Sequence, residues 1–359
     1  MPAPTITGLT VRPVRVPMPD PHRTASGAVA ESPLVLVYVH TSEGVTGRAV
    51  VFTYTPSALA PTAAMAANLE PLVQGETLAP AAVTNKLAAR FRLLGTQGLT
   101  GMALAGLDMA MWDAFSRLHQ LSLAEQLGGV QRPIPAYGAV GYDGPAESAR
   151  VSARWAERGF RAVKAKIGYP TIAEDLEVIR AIRSATGPSM TILVDYNQSL
   201  TPVAAVERLR ALEGEGLGWV EEPTLAHDFA GHARIAGEIA TPIQCGENWW
   251  GPGDVRAAIA ASASDYVMLD VMKIGGVTGW LAASALCAAA NIPVSSHLWP
   301  EISTQLLSVT PTAHWLEYCD WWHAITLEPI AVRDGMAIPE ALGAGVDFDE
   351  GAVRRFLVT

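Results

Sequence analysis

Seven ionisable side chains recur along the second half of the chain, each near the end of a short apolar segment. The intervals between them are 29, 26, 26, 23, 27 and 20 residues, roughly one strand plus one helix each time. Solvent-exposed charges would be scattered, whereas the carboxyl ends of parallel strands in a closed barrel meet at one mouth. We therefore expect these side chains to converge on a single site. They are Lys166, Asp195, Glu221, Glu247, Asp270, His297 and Glu317.

Three of the seven are carboxylates on consecutive predicted strands: Asp195 in VDYN, Glu221 in VEEP and Glu247 in CGEN. Crowded carboxylates repel one another and would be driven to protonate unless a cation lies between them. Oxygen ligands without His or Cys suit a hard divalent ion, so we predict one Mg2+ per subunit, with Mn2+ as a substitute. Taken singly, each carboxylate could instead cap a helix or pair with a local lysine. Glu222 should point away from the barrel interior and is not counted as a ligand.

Groups able to transfer protons are predicted on both sides of these carboxylates. On one side, Asp270 can accept a hydrogen bond from His297, which fixes the imidazole tautomer and raises its basicity. On the other side, Lys164 and Lys166 in RAVKAKIG point the same way on a strand, so each disfavours the charged form of the other. Glu317, if protonated, could donate a hydrogen bond to an oxyanion. Two opposed bases suit proton transfer at a carbon next to a carboxylate that a metal ion binds.

The bulk composition limits the class of partner. The chain has 359 residues, a net charge of -10 and 50% hydrophobic residues, and its Lys and Arg residues are scattered, which argues against nucleic-acid binding. No apolar run approaches the roughly 20 residues of a membrane span. The first residues lack the features of a signal peptide, so cytoplasmic localisation is expected. We expect a small-molecule carboxylate as the partner.

The chain divides by its patterning into an α+β part and a barrel. In residues 1–130, apolar alternation predicts an antiparallel sheet followed by helices, and a polar stretch, PDPHRTASGAVAES, reads as a long loop of the kind that closes sites. In residues 131–325, eight apolar strands alternate with helices, which predicts a (β/α)8-type barrel. A doubly wound open sheet is the alternative, but its glycine fingerprint is missing after the first strand. Residues 326–359 are expected to return to the first domain.

The barrel half of the chain carries an ordered set of motifs: RAVKAKIGYP, VDYNQSL, EEPTLAHD, GENW, MKIGGVTGW, SSHLWPEIS and TAHWLE. This set resembles the enolase superfamily and, within it, the mandelate racemase/muconate lactonizing enzyme family. The resemblance covers nearly the whole chain and implies an α/β fold in which an N-terminal α+β capping domain, completed by the C-terminal tail, covers a (β/α)7β TIM-like barrel. It also implies a homo-oligomer, an octamer in this family, and Mg2+ on the three carboxylates.

The resemblance also implies catalytic roles. Lys166 would act on the α-proton of an S enantiomer, and His297, oriented by Asp270, on that of the R enantiomer. Lys164 would contact the substrate carboxylate and lower the pKa of Lys166, while Glu317 would serve as the electrophilic acid. Together these roles describe a Mg2+-dependent racemase of a mandelate-like 2-hydroxy acid that works by two-base α-proton abstraction through a metal-stabilised enediolate.

Residues that would contact the substrate are less similar to the family than the catalytic ones. Asn197 would contact the substrate hydroxyl, and Tyr54 follows a capping strand and could reach the lid. The end of the first barrel strand carries Ala139 where the family's racemases have a Ser that contacts the carboxylate. His22 and Arg23 make the capping loop more polar, which would suit a sugar acid.

Other functions remain open from the sequence. The nearest is an acid-sugar dehydratase that uses the same Lys and His–Asp groups to remove a proton and release a hydroxyl. A cycloisomerase or dipeptide epimerase would use Lys273 of VMKIGG as the opposing base. A metal–carboxylate binding module without activity is a third alternative.

Overall fold

An antiparallel sheet and five helices form the N-terminal part of the molecule, as expected. The computed structural model describes residues 3–24 and 27–358. The sheet has the order β1-β2-β3, and its alternating residues Val14, Val16, Leu34 and Leu36 are fully buried. The strands are β1 (Ile6–Thr24), β2 (Gly27–Thr41) and β3 (Thr46–Phe52), and the helices are α1 (Pro56–Ala67), α2 (Glu70–Val73), α3 (Pro80–Arg90), α4 (Gly98–Leu118) and α5 (Leu123–Gln126).

The predicted capping loop at 19–32 is instead the end of a long β-hairpin. β1 and β2 remain paired to Thr24 and Gly27, with a register shift after Pro17; residues 25 and 26 lie outside the described residues. A polar sequence can hold this ladder because each strand satisfies the backbone groups of the other. The hairpin docks on the barrel, where the amide of Tyr142 donates to the Arg23 carbonyl at 2.8 Å.

The C-terminal part contains the predicted closed barrel of eight parallel strands. The first and eighth strands, β4 and β11, pair and close it, and a helix lies between each pair of consecutive strands. In chain order the elements are β4 (Ile134–Val140), α6 (Gly144–Glu157), β5 (Ala162–Lys166), α7 (Ile172–Thr186), β6 (Thr191–Asp195), α8 (Pro202–Leu212), β7 (Leu217–Glu221), α9 (Phe229–Glu238), β8 (Ile243–Cys245), α10 (Gly251–Ala261), β9 (Tyr266–Asp270), α11 (Gly276–Ala289), β10 (Val294–His297), α12 (Pro300–Val309) and β11 (Ala313–Tyr318).

Close backbone packing at one glycine helps to shape the barrel mouth. Gly246 has a φ of +133°, and a Cβ there would lie 2.4 Å from the carbonyl oxygen of Met268 on the neighbouring strand. Only glycine accommodates both the conformation and the approach. The turn it permits brings Glu247, the next residue, into the mouth of the barrel.

The helix α4 joins the two parts of the molecule through buried carboxylates. Asp108 accepts a hydrogen bond from the amide of Thr278 at 3.0 Å, at the start of α11. Asp113 accepts from the amides of Arg48 at 2.9 Å and Ala344 at 2.7 Å. These carboxylates are structural, and they fix the capping sheet above the barrel.

The C-terminal segment contacts both parts. Its hairpin, β12 (Ala331–Arg333) and β13 (Met336–Ile338), adds to the barrel strand β4 in antiparallel register. The last helix, α13 (Glu350–Phe356), lies on the capping sheet, where Tyr38 donates to Glu350 at 3.0 Å. No helix among the described residues has the length and apolar character to cross a membrane.

Candidate active site

The barrel register brings the predicted residues together. Lys166 lies opposite Asp195, and Asp195 lies opposite Glu221, at the ends of three adjacent strands. His297 lies opposite Asp270 at the ends of β10 and β9. Because parallel strands end at the same rim, residues far apart in sequence share one mouth. Glu247 follows β8 by two residues, and Glu317 lies in β11.

The three predicted metal ligands form one buried cluster. Asp195, Glu221 and Glu247 each offer a carboxylate oxygen within 4.8 Å of the others. Burial raises the pKa of Glu221. Lys164 lowers this pKa, whereas the negative charges of Asp195 and Glu247 raise it further, and the net shift is upward. Added positive charge stabilises the ionised form of such a cluster, and its all-oxygen donors fit Mg2+. Glu222 is buried but lies outside the cluster and binds Asn248 instead, 2.7 Å away.

The predicted base on β5 is held by groups of the neighbouring strand. The Lys166 ammonium donates to Asp195 at 2.9 Å and to Asn197 at 2.6 Å. Burial and the nearby Lys164 lower the pKa of Lys166, but Asp195 and Glu247 raise it further than these lower it. Lys164 thus acts in the expected direction, while among the protein's own groups the carboxylates decide the net effect.

Lys164 lies deeper than Lys166 and between two carboxylates. Its ammonium is 2.5 Å from Glu221 and 3.0 Å from Glu317, and the side chain is 3% exposed. Burial raises the pKa of Glu317, but Lys164 and His297 lower it more. The expected neutral carboxylic acid at Glu317 therefore differs from what these contacts favour, because an ammonium ion lies within hydrogen-bond distance. Lys164 shares a small recess with Ala139 and Glu317.

The Asp270–His297 pair has the predicted geometry. Asp270 Oδ2 lies 2.6 Å from His297 Nδ1. The other oxygen, Oδ1, accepts from the amides of Met272 at 2.8 Å and Lys273 at 3.0 Å. His297 Nε2 faces the metal cluster, 3.3 Å from Glu247. Burial lowers the pKa of His297, but Glu247, Asp270 and Glu317 together raise it.

Lys166 and His297 line a common cavity of about 560 Å³ beneath the capping hairpin. The barrel supplies mostly polar groups to it, whereas the capping domain supplies mostly apolar ones. The barrel side chains are Lys166, Asn197, Gln198, Glu247, Asn248, His297 and Leu298, the capping residues are Met18, His22, Gly27, Val29, Phe52, Tyr54, Thr55 and Pro56, and Trp321 follows the last barrel strand.

The predicted substrate-contacting residues differ in their placement. His22 reaches the cavity, with its ring 4.6 Å from that of Trp321, and burial together with Lys166 and Lys164 lowers its pKa, so the imidazole is neutral. Arg23 pairs with Asp143 at 3.1 Å rather than lining the cavity. Tyr54 lines it, and its hydroxyl donates to Asp270 Oδ2 at 3.3 Å.

The sequence did not single out several cavity residues, among them the polar or aromatic Trp321, Asn248 and Gln198. Backbone strain marks the same region, because several non-glycine residues with positive φ border the mouth. They are Tyr54, Asn197, Gln198, Glu222, Leu298 and Trp299. Such conformations persist where the surroundings impose them, often at functional sites, but a sequence gives no sign of them.

Comparison with known proteins agrees with this site. A crystallised Bradyrhizobium enolase, complexed with magnesium and mandelic acid, is 43% identical, with 100% coverage of both chains and a TM-score of 0.95. The 3,6-anhydro-alpha-L-galactonate cycloisomerase of Streptomyces coelicolor is 30% identical over 96% of this chain and 97% of its own. The L-talarate/galactarate dehydratase of Salmonella typhimurium is 31% identical over 73% of this chain and 67% of its own.

Two family profiles cover most of the sequence. Residues 6–128 match the mandelate racemase/muconate lactonizing enzyme N-terminal domain, and residues 146–352 match the enolase C-terminal domain-like family. The magnesium-bound relatives and the acidic triad agree on a Mg2+-dependent enzyme of a superfamily that includes isomerases and dehydratases. The chain therefore belongs to the mandelate racemase/muconate lactonizing enzyme family of the enolase superfamily.

Proposed function

We propose that the protein is a two-base racemase of a 2-hydroxy carboxylic acid with an apolar, mandelate-like substituent. The observation that carries the proposal is that Lys166 and His297 line the same cavity beside the acidic cluster. Each is held by its own partners, and in this proposal each acts on one face of a substrate carbon. By family resemblance, Lys166 serves the S enantiomer and His297 the R enantiomer.

The division of the cavity supports an apolar substituent. A carboxylate and a 2-hydroxyl can be bound on the barrel side, which carries Asn197 and Asn248. The capping side carries Met18, Val29 and Phe52, which stabilise an aryl group through burial rather than hydrogen bonds. A polyhydroxylated chain placed there would leave most of its hydroxyls without partners. The Bradyrhizobium relative complexed with magnesium and mandelic acid supports the same substrate class.

Each base has a defined task in this proposal. When bound by the acidic triad, Mg2+ supplies positive charge that stabilises the negative charge developing on the substrate carboxylate. Lys166 removes the α-proton from one face, and His297 delivers a proton to the other. Asp270 holds the His297 ring in the orientation this requires. A substrate carboxylate next to Lys164 would compete for that ammonium and raise the pKa of Glu317, which lets Glu317 donate a hydrogen bond to the substrate.

Acid-sugar dehydration is the second candidate function. His22 and Tyr54 are the ionisable side chains that the described capping residues contribute to the cavity, and the neutral imidazole of His22 could bind a hydroxyl of a longer substrate. The Salmonella typhimurium relative is a dehydratase of this class. In this reaction Lys166 or His297 removes the α-proton, and its partner protonates a departing hydroxyl.

Incubation in D2O with Mg2+ distinguishes the two functions. For a racemase, both enantiomers of mandelate should gain deuterium at the α-carbon and interconvert without loss of substrate. For a dehydratase, an acid sugar should be consumed and yield a 2-keto acid. Absence of exchange with mandelate, together with 2-keto acid formation from an acid-sugar library, would replace the first proposal with the second.

Further family properties follow as part of the same proposal. We expect the (β/α)7β topology with boundaries at 130 and 325, cytoplasmic localisation and a homo-oligomer, an octamer by resemblance. Light scattering of the purified protein measures the last of these directly.

A further inference from the structure

Tyr54 has a strained backbone at the turn where the capping sheet meets the barrel mouth. Its φ is +59°, a conformation that a bulky residue adopts only when its surroundings impose it. Both neighbours are fixed, since the amide of Thr53 donates to Pro33 at 2.9 Å and the amide of Thr55 donates to Thr53 at 2.6 Å. The turn therefore aims the Tyr54 ring into the barrel mouth.

The Tyr54 hydroxyl contacts the carboxylate that orients the predicted base. It donates to Oδ2 of Asp270 at 3.3 Å, and the same oxygen lies 2.6 Å from His297 Nδ1. The backbone amides of Met272 and Lys273 hold the other oxygen. All of these contacts come from the barrel except that of Tyr54.

Lys273 contacts the ring of the same tyrosine. Its side chain is buried, and within the described part of the chain no carboxylate lies within ion-pair distance of its ammonium. The ammonium lies 4.6 Å from the Tyr54 ring centroid and donates to Asn248 at 2.6 Å. A desolvated cation at this distance over an aromatic face is attracted to it. Lys273 thus contacts Asp270 through its amide and Tyr54 through its side chain.

We propose that Tyr54 and Lys273 form a strut that positions the Asp270–His297 pair and so makes one of the two bases dependent on the capping domain. The inference rests on the proposed function, in which His297 is a base. Lys166 has no equivalent, because its described hydrogen bonds all go to Asp195 and Asn197 of the barrel. Tyr54 acts through Asp270 and is a positioning residue, whatever contact its ring makes with a substrate.

The strut predicts an effect on one enantiomer only. With Mg2+ present, Tyr54→Phe should lower the initial rate of α-proton loss from R-mandelate about tenfold or more, since it removes a hydrogen bond to a charged group, and leave the rate from S-mandelate within about twofold. Asp270→Asn should reproduce the same asymmetry. Tyr38→Phe is the matched control, because it removes a capping-domain hydroxyl that binds the distant Glu350, and it should change neither rate.

Three results would overturn the strut or the function beneath it. Equal losses for both enantiomers in Tyr54→Phe would mean a general structural effect, and no loss for either would mean that the contact is idle; both overturn the strut. If the wild-type protein removes no α-proton from either enantiomer, the proposed function fails. The strut is then judged by the NMR signal of the proton between His297 Nδ1 and Asp270, which must exchange faster with solvent in Tyr54→Phe than in Tyr38→Phe; equal exchange would overturn it.

Discussion

The two sides of the candidate active site position the proposed bases by different means. On one side, Lys166 forms an ion pair with Asp195 at 2.9 Å, and the like charge of Lys164 lies nearby. On the other side, His297 is oriented by its hydrogen bond with Asp270, and Asp270 is in turn held by backbone amides and a tyrosine hydroxyl. Glu247 of the metal cluster raises the pKa of both groups. The two sides differ in that Lys166 shares Asp195 with the cluster, whereas His297 is oriented by Asp270, which lies outside it.

A buried carboxyl group near each proposed base also differs between the two sides, in the hydrogen bonds that it accepts. Behind Lys166, the buried Asp175 accepts hydrogen bonds from the amides of Gly168 and Tyr169, from the Tyr196 hydroxyl and from Arg208, all between 2.8 and 3.1 Å. Behind His297, Glu301 is also buried, but one of its oxygens accepts only a long bond of 3.4 Å from Trp322. The other has no hydrogen-bond partner among the described residues.

Removal of the metal ion should affect both sides equally and most strongly. Chelation with EDTA should lower α-proton loss from both mandelate enantiomers about a thousandfold or more, because the developing charge loses its stabilisation. Added Mg2+ should restore activity, and Mn2+ should substitute. The measurement is exchange in D2O before and after dialysis. Activity that survives complete removal of divalent ions would show that the acidic cluster has another role.

Substitution of one proposed base should lower proton loss from one enantiomer much more than from the other. His297→Asn should lower proton loss from R-mandelate about a hundredfold or more and leave the loss from S-mandelate largely intact, because Lys166 has separate partners. Exchange of each enantiomer is followed by proton NMR, with the thermal midpoint as a check on folding. Loss for both enantiomers, or for neither, would contradict the two-base arrangement.

Asp175→Asn should destabilise the fold and affect the lysine side more than the histidine side. The change weakens the bond to Arg208 and removes a charge that the surrounding donors satisfy, so the free energy of unfolding should fall by about 2–3 kcal/mol. Urea unfolding measures this loss. Since Gly168 and Tyr169 follow the strand of Lys166, proton loss from S-mandelate should fall more than that from R-mandelate. A reversed order would argue against the assignment of the two sides.

Glu301→Gln should have the smallest effect, a change in thermal stability that depends on pH. Burial raises the pKa of Glu301 from 4.5 to about 7. Between these values the native state holds a proton that the unfolded chain has lost, so this carboxyl makes stability fall as the pH rises through that window, with no further change above it. The thermal midpoint of Glu301→Gln relative to wild type should therefore be higher at pH 8 than at pH 5. Glu340→Gln, at an exposed position, is the control; a pH-independent difference would contradict the prediction.

Much of the barrel and its site could be predicted because a repeated unit fixes where each strand ends. The spacing alone places Asp195, Glu221 and Glu247 together, and a strand alternates its side chains regardless of what surrounds it. The predictions were weaker in the capping domain, where the supposed lid proved to be a paired hairpin. Whether polar residues form a ladder depends on the strand that approaches them, and that strand lies elsewhere in the sequence.

The sequence by itself determined which ionisable residues share one mouth, because strand period and unit length are local properties. Only the tertiary structure decided how those residues are held. The contact of Tyr54 with Asp270 spans 216 residues, and His22 reaches Trp321 only because the hairpin docks on the barrel. Such contacts depend on how two independently patterned domains pack, and the pattern of neither domain alone specifies that packing.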